Sequence, residues 1–130
     1  MPDPLLLEAF PTPAREPLVI EHVAEEFTSL CPKTGHPDYG TITLRYRPAP
    51  PDTAAGQRGC VELKSLKLYY QSFRNEGIFY EAVTDRIRAD LTALMSPVWL
   101  QVITNWRGRG GIRSAVRAEF GSVPDEFRAR

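Results

Sequence analysis

Cys31 opens a segment whose residue types suit nucleophilic chemistry: Cys31-Pro32-Lys33-Thr34-Gly35-His36-Pro37-Asp38-Tyr39. Two prolines and a glycine make this a stiff, exposed loop. A thiol in such a loop becomes a nucleophile once its thiolate is stabilised, and Lys33 and His36 are the neighbours able to help. Asp38 stands seven residues after the cysteine, at the start of a strand-like run. From there it could fold back toward the thiol as a proton donor. A plainer reading, a small packed cysteine and a turn-forming aspartate, fits the same residues. Cys60 reads simply as a buried thiol. Zinc requires three or four ligands, usually with a close-spaced pair. Cys31 and His36 make one such pair, His22 and Cys60 do not make a second, and no metal site is expected.

Three further segments carry charge in patterns that suit a ligand. In Glu62-Leu63-Lys64-Ser65-Leu66-Lys67-Leu68-Tyr69, Lys64 and Lys67 lie one turn apart at a helix start. Two cations there oppose the helix dipole, a local cost that a phosphate would relieve; a solvated charged face is the alternative. Ser72 to Glu81 reads as a link between two helices, with Gly77 as the stop and Asn75 or Glu76 as the new start. Glu81 then falls in the first turn of the second helix beside Phe79 and Tyr80. A carboxylate among aromatics suits a planar heterocycle with adjacent N–H donors, although it also simply favours the dipole. Arg107-Gly108-Arg109-Gly110-Gly111 reads as a hairpin turn whose arginines either hold phosphate or are solvated.

The elements that must position these residues follow from periodicity. Leu18 to Leu30 is ambiguous in period. Tyr39 to Tyr46 alternates, with Ile42, Leu44 and Tyr46 on one face, and predicts a half-buried strand. Leu63, Leu66, Tyr69, Tyr70 and Phe73 recur at helical spacing, as do Ile78, Val83, Ile87, Leu91 and Leu94 from Gly77 to Met95. Val98 to Trp106 and Ile112 to Val116 read as strands. The order ββααββ predicts an α+β domain, a four-stranded antiparallel sheet with two helices on one face. Its open edges are expected to pair with other subunits.

Composition bounds the rest. The chain has 130 residues, 42% of them hydrophobic, with sixteen Lys and Arg balancing sixteen Asp and Glu. One domain with a real core is expected, and disorder or nucleic-acid binding by net charge is disfavoured. No apolar run approaches a membrane span, the first residues lack a signal-peptide pattern, and two cysteines make no disulfide scaffold, so a cytoplasmic protein is expected. Residues 1–17, which hold five of the twelve prolines, read as an extended arm, 18–120 as the domain, and 121–130 as a tail. The prolines at positions 48, 50 and 51 mark a surface loop. Arg107, Arg109, Arg113, Arg117, Arg128 and Arg130 make the C-terminal end basic.

Taken in order, these motifs resemble one family. Cys-Pro-Lys-Thr-Gly with Asp38 seven residues after the cysteine, Glu-Leu-Lys-Ser-Leu-Lys-Leu-Tyr, Ser-Phe-Arg-Asn-Glu-Gly, Phe-Tyr-Glu-Ala-Val-Thr-Asp-Arg-Ile and Arg-Gly-Gly-Ile together look like the short, single-module form of the QueF-type NADPH-dependent 7-cyano-7-deazaguanine reductases. The likeness runs from about Val19 to Ala118. It implies a tunnelling fold, a decamer of two stacked pentamers with sites between subunits, and reduction of a nitrile to a primary amine on the path to the queuosine base of tRNA. It implies Cys31 as the nucleophile that forms a covalent thioimide and Asp38 as the acid. It implies Tyr80 and Glu81, with Val61, Glu62 and Leu63, as the substrate-binding set. Leu63, Lys64, Lys67, Arg109 and Gly110 would lie at or beside NADPH. No membrane and no direct nucleic-acid partner is implied.

The chain departs from the pattern at Tyr80, where many relatives carry His; tyrosine does not titrate near neutral pH. There is no dinucleotide Gly-x-Gly-x-x-Gly after a strand, so a non-Rossmann NADPH site is implied. Two other readings compete: a zinc-dependent hydrolase of the GTP cyclohydrolase kind on the same fold, using Cys and His as ligands, and a non-catalytic purine- or tRNA-binding module.

Overall fold

A computed structural model describes residues 1–128. Six strands and two helices occur along it: β1 (Ala9–Phe10), β2 (Ile20–Leu30), β3 (Pro37–Arg47), β4 (Cys60–Val61), α1 (Leu63–Gln71), α2 (Tyr80–Met95), β5 (Trp99–Arg109) and β6 (Ile112–Gly121). The main sheet is antiparallel in the order β2-β3-β5-β6, and β1 pairs with β4 in a separate two-stranded ribbon. The expected α+β order therefore holds, and the ribbon is added to it. Both helices pack on one face of the sheet, the arrangement of the tunnelling fold. Among the described residues no helix is long and apolar enough to cross a membrane.

Alternation decides the sheet's faces. Ile42, Leu44 and Tyr46 of β3 and Leu100 and Val102 of β5 are fully buried beneath the helices. Leu66, Tyr69 and Phe73 descend from α1 and its C-terminal turn, and Val83, Ile87, Leu91 and Met95 from α2. Each such side chain contributes roughly 1.5–3 kcal/mol on burial. Phe27 sits centrally, edge-on to Tyr70 at 5.9 Å and to Trp106 at 5.8 Å between ring centroids.

β2 explains its ambiguous period. Ala24 pairs with Ile42 and Phe27 with Gly40, so Glu25 and Glu26 together oppose Thr41 alone. This bulge moves the inward phase from even positions to odd ones. A second register shift lies between Trp106 and Arg109. It lets β5 run three residues further than alternation predicts, so the turn is Gly110-Gly111 alone rather than Arg107 to Gly111. Both glycines have positive φ, 56° and 81°, the geometry of a tight hairpin.

The second helix also starts later than expected. Leu30 donates its N–H to the carbonyl of Glu76 and accepts from the N–H of Ile78, each bond near 3 Å. The end of β2 thus holds residues 76–78 extended. The helix begins at Tyr80, with Phe79 as N-cap making no side-chain bond, and neither Asn75 nor Glu76 starts it. This bridge brings the first turn of α2 beside the residue that follows Leu30, which is Cys31.

The first seventeen residues lie against the domain. Their short 3₁₀ turn (Pro4–Leu6) precedes β1, Leu7 and Thr12 are buried, and Glu8 donates its N–H to Oγ of Ser65 at 2.9 Å. At the other end, the Phe127 ring packs on Trp99 over the sheet's helix-free face. Arg130 of the basic C-terminus lies outside the described residues.

Candidate active site

The loop after β2 is closed by the N–H of Cys31 donating to the carbonyl of His36, and by the N–H of Gly35 donating to the carbonyl of Cys31. Gly35 turns the chain at φ 72°. The closed loop places the backbone N–H groups of Lys33 and Thr34, and the Thr34 hydroxyl, near the partly exposed Cys31 sulfur. Arg109, at the tip of β5, reaches the same loop, its Nη2 3.5 Å from the Thr34 hydroxyl oxygen. The Thr34 hydroxyl, the Arg109 guanidinium and the two backbone donors lower the thiol pKa to about 6. Cys31 is therefore largely thiolate at neutral pH, the nucleophilic form.

Asp38 is the second residue of β3, opposite Ser29, and is buried. A buried carboxyl group must be partnered, and two groups meet it. Nη1 of Arg109 stands 3.1 Å from Oδ1, and the Tyr80 hydroxyl donates to the same oxygen at 3.2 Å. Burial, and then the Asp38 carboxylate, hold the Tyr80 hydroxyl above its ordinary pKa. Cys31, and then the Asp38 carboxyl, raise Arg109 above its own ordinary value, so Arg109 stays charged.

Tyr80 is held from behind. Its ring stacks on Trp106 at 4.1 Å and 10°. The Trp106 indole N–H donates to Oγ1 of Thr104 at 2.8 Å, and Thr104 and Thr84 share a 2.7 Å hydroxyl contact. Thr84 donates to the carbonyl of Tyr80 at 2.8 Å. Each hydroxyl has one proton to give, so Thr104 donates to Thr84 and the chain runs one way from indole to helix backbone. Gly40 leaves room for this arrangement: a Cβ there would fall 2.9 Å from Trp106 Cε3 and from the Asn105 carbonyl oxygen.

The remaining expected residues lie apart from this cluster. Glu62 caps α1, taking the N–H of Lys64 on Oε2 and of Ser65 on Oε1, each at 2.8 Å. Those bonds hold its carboxyl below the ordinary range and offset the dipole cost of Lys64 and Lys67. Val61 is buried in β4. Leu63 and Lys67 line an open groove of about 900 Å³ between α1 and the bulged stretch of β2, with Arg74, Arg107, Glu25 and Glu26. Lys64 is exposed one residue from it. Arg109 sits with Cys31 rather than with these lysines, and Gly110 forms the turn beside it. Glu81 is exposed, next to Tyr80 on the first turn of α2. Among the described residues no three His, Cys, Asp or Glu side chains gather where they could hold a metal ion.

Sequence reasoning did not single out Thr34 as a thiol partner, nor Trp106, Thr104 and Thr84 as the support of Tyr80. Trp106 at the end of an apolar strand reads as ordinary core. Its indole N–H, which needs a partner when buried, was the available signal.

The model of the family described as QueF-like protein matches residues 37–125. The chain belongs to this family. The NADPH-dependent 7-cyano-7-deazaguanine reductase of Pelodictyon phaeoclathratiforme is 52% identical over 117 residues, covering 88% of this chain and 93% of its own. The protein of the same name from Rhodopirellula baltica is 51% identical over 122 residues, covering 92% and 91%. Among solved structures, the apo form of the archaeosine synthase QueF-Like superposes with a TM-score of 0.66 over 85% of this chain and 99% of its own. At 19% identity that likeness speaks for the fold alone. The QueF match covers Asp38, Tyr80, Glu81 and Arg109 and begins after Cys31.

Proposed function

We propose that this protein reduces the nitrile of 7-cyano-7-deazaguanine to the amine of 7-aminomethyl-7-deazaguanine, with NADPH as reductant, in the cytoplasm and on the path to the queuosine base of tRNA. The observation that carries the reading is the convergence of Cys31, Arg109, Asp38 and Tyr80. It is supported by relatives about half identical over nine-tenths of the chain that bear that reductase's name.

The Cys31 thiolate adds to the nitrile carbon. A C–S bond forms, one C–N π bond breaks, and its electron pair goes to nitrogen, which takes the proton of Asp38. The product is a covalent thioimide, whose C=N is a better electrophile than the nitrile. NADPH, when bound, would supply the two hydrides of the four-electron reduction, and the nitrogen takes its second proton from solvent. Between them Cys31 leaves as a thiolate, stabilised by the same Thr34 and Arg109 donors that activated it. Glu81 accepts the ring N–H and exocyclic amine of the deazaguanine, and Val61, Glu62 and Leu63 contact it from the start of α1.

The groove between α1 and β2 fits the cofactor. Lys64, Lys67 and Arg74 have no acidic partner among the described residues, and cations left free in this way suit the phosphates of a dinucleotide. Arg109 and Gly110 join this set from a neighbouring subunit.

Such sharing is supported by the layout of one chain. Leu30 pairs with residues just beyond the C-terminal end of α1, whereas Leu63 begins that helix. Nine helical residues put about 13 Å between them. β2 and β6 leave two long free edges on the sheet, which a closed ring of subunits would pair. A decamer of two pentamers with sites between subunits is the assembly proposed, and the free edges support it only as far as pairing between subunits.

The test is NADPH consumption by the purified protein with 7-cyano-7-deazaguanine, beside Cys31→Ala. Two NADPH lost per amine formed, and none by the variant, is expected. An assembled wild-type protein that consumes no NADPH overturns the reading.

A further inference from the structure

The resemblance makes Tyr80 a substrate-binding residue, yet its polar atom is committed elsewhere. The hydroxyl donates to Oδ1 of Asp38, the ring is stacked on Trp106, and the Tyr80 carbonyl is tied through Thr84 and Thr104 to the same indole. Arg109 meets that same carboxylate oxygen. Both of these contacts are made at Oδ1.

We propose that Tyr80 is a positioning residue for the acid: its hydroxyl and Arg109 occupy Oδ1 of Asp38 and leave Oδ2 as the oxygen that carries the transferable proton. This rests on the nitrile chemistry proposed above. As the Cys31 sulfur bonds to the nitrile carbon, the electron pair of the broken π bond goes to nitrogen. The proton on Oδ2 follows it, and Asp38 is left as a carboxylate. The new negative charge is met at once by the Tyr80 hydroxyl and the Arg109 cation already placed at Oδ1. Such preorganised donors lower the barrier because they need not reorient as the charge forms. Tyr80 acts through Asp38 and stays out of contact with the reacting atoms. Its stack on Trp106 is what keeps the hydroxyl on one oxygen.

Tyr80→Phe keeps the stacked ring and removes one oxygen atom. The assembled wild type and variant are mixed with 7-cyano-7-deazaguanine without NADPH, and the Cys31 adduct is followed by intact mass across pH. Steady-state turnover with NADPH is then measured. A charge-assisted hydrogen bond of this kind is worth about tenfold or more in rate. Adduct formation at saturating nitrile is expected to slow by about that factor, with a displaced pH profile and a KM changed less than about threefold. Tyr80→His, whose ring N–H can also donate to Asp38, is expected to recover part of the rate. A variant whose KM rises while its saturated rate is unchanged would make Tyr80 a substrate contact and overturn the proposal, as would no change at all. If the phenylalanine variant does not assemble, a Tyr80→His pH profile identical to the wild type's overturns it instead. A wild type that forms neither adduct nor amine overturns the nitrile reading itself, whereas a reactive wild type with an unaffected Tyr80→Phe removes only the role of Tyr80.

Discussion

Arg109 ties the two reactive groups together: its guanidinium stands 3.1 Å from Oδ1 of Asp38 and helps to lower the pKa of Cys31. One cation thus serves two acids, and its placement makes the pH behaviour of the thiol testable.

Iodoacetamide should alkylate Cys31 with a pH midpoint of about 6. The sign follows from the direction of the shift. A lowered thiol pKa means thiolate, and reaction, persists as pH falls until it passes through about 6, and is lost below. Arg109→Ala should move the midpoint upward by about one unit, because an opposite charge favouring the thiolate is gone. Peptide mapping of labelled protein checks that Cys31, not the buried Cys60, reacts.

Glu81→Gln should weaken nitrile binding without touching the acid or the thiol. An amide offers one acceptor where the carboxylate offers two with charge, so KM for 7-cyano-7-deazaguanine should rise roughly 10- to 100-fold. The saturated rate should stay within a few-fold. Steady-state kinetics separate the two.

Lys67→Ala should raise KM for NADPH by roughly 5- to 50-fold, by removing a cation from the groove beside α1. Raised salt should narrow the difference between the variant and the wild type, because exposed charges are screened. The Cys31 alkylation midpoint should not move.

Gly40→Ala should cost about 1–3 kcal/mol of stability, read as a lowered midpoint in chemical denaturation. The added Cβ would meet the Asn105 carbonyl and the Trp106 ring at 2.9 Å, and a backbone carbonyl in a paired strand cannot give way cheaply. Near-ultraviolet circular dichroism should change with it, since Trp106 is displaced from the Tyr80 ring.

The sequence by itself determined the architecture. Ile42, Leu44 and Tyr46 alternate, and Leu66, Tyr69 and Phe73 recur by helical turns, because each pattern answers to local geometry that every strand or helix shares. It also marked Cys31, Asp38, Lys67, Glu81 and Arg109, since the motifs are continuous stretches of chain. The tertiary structure decided which of them meet. Tyr80 reaches Asp38 across 42 residues and Arg109 reaches the Cys31 loop across 75, through a β2 bulge, a bridge from Leu30 to the start of α2, and a hairpin whose register shifts at its tip. Those features depend on packing between distant segments, which periodicity does not encode. For the same reason Arg109 fell beside the thiol, Glu62 was taken up by a helix cap, and the support of Tyr80 by Trp106 emerged only once the sheet and helix were in contact.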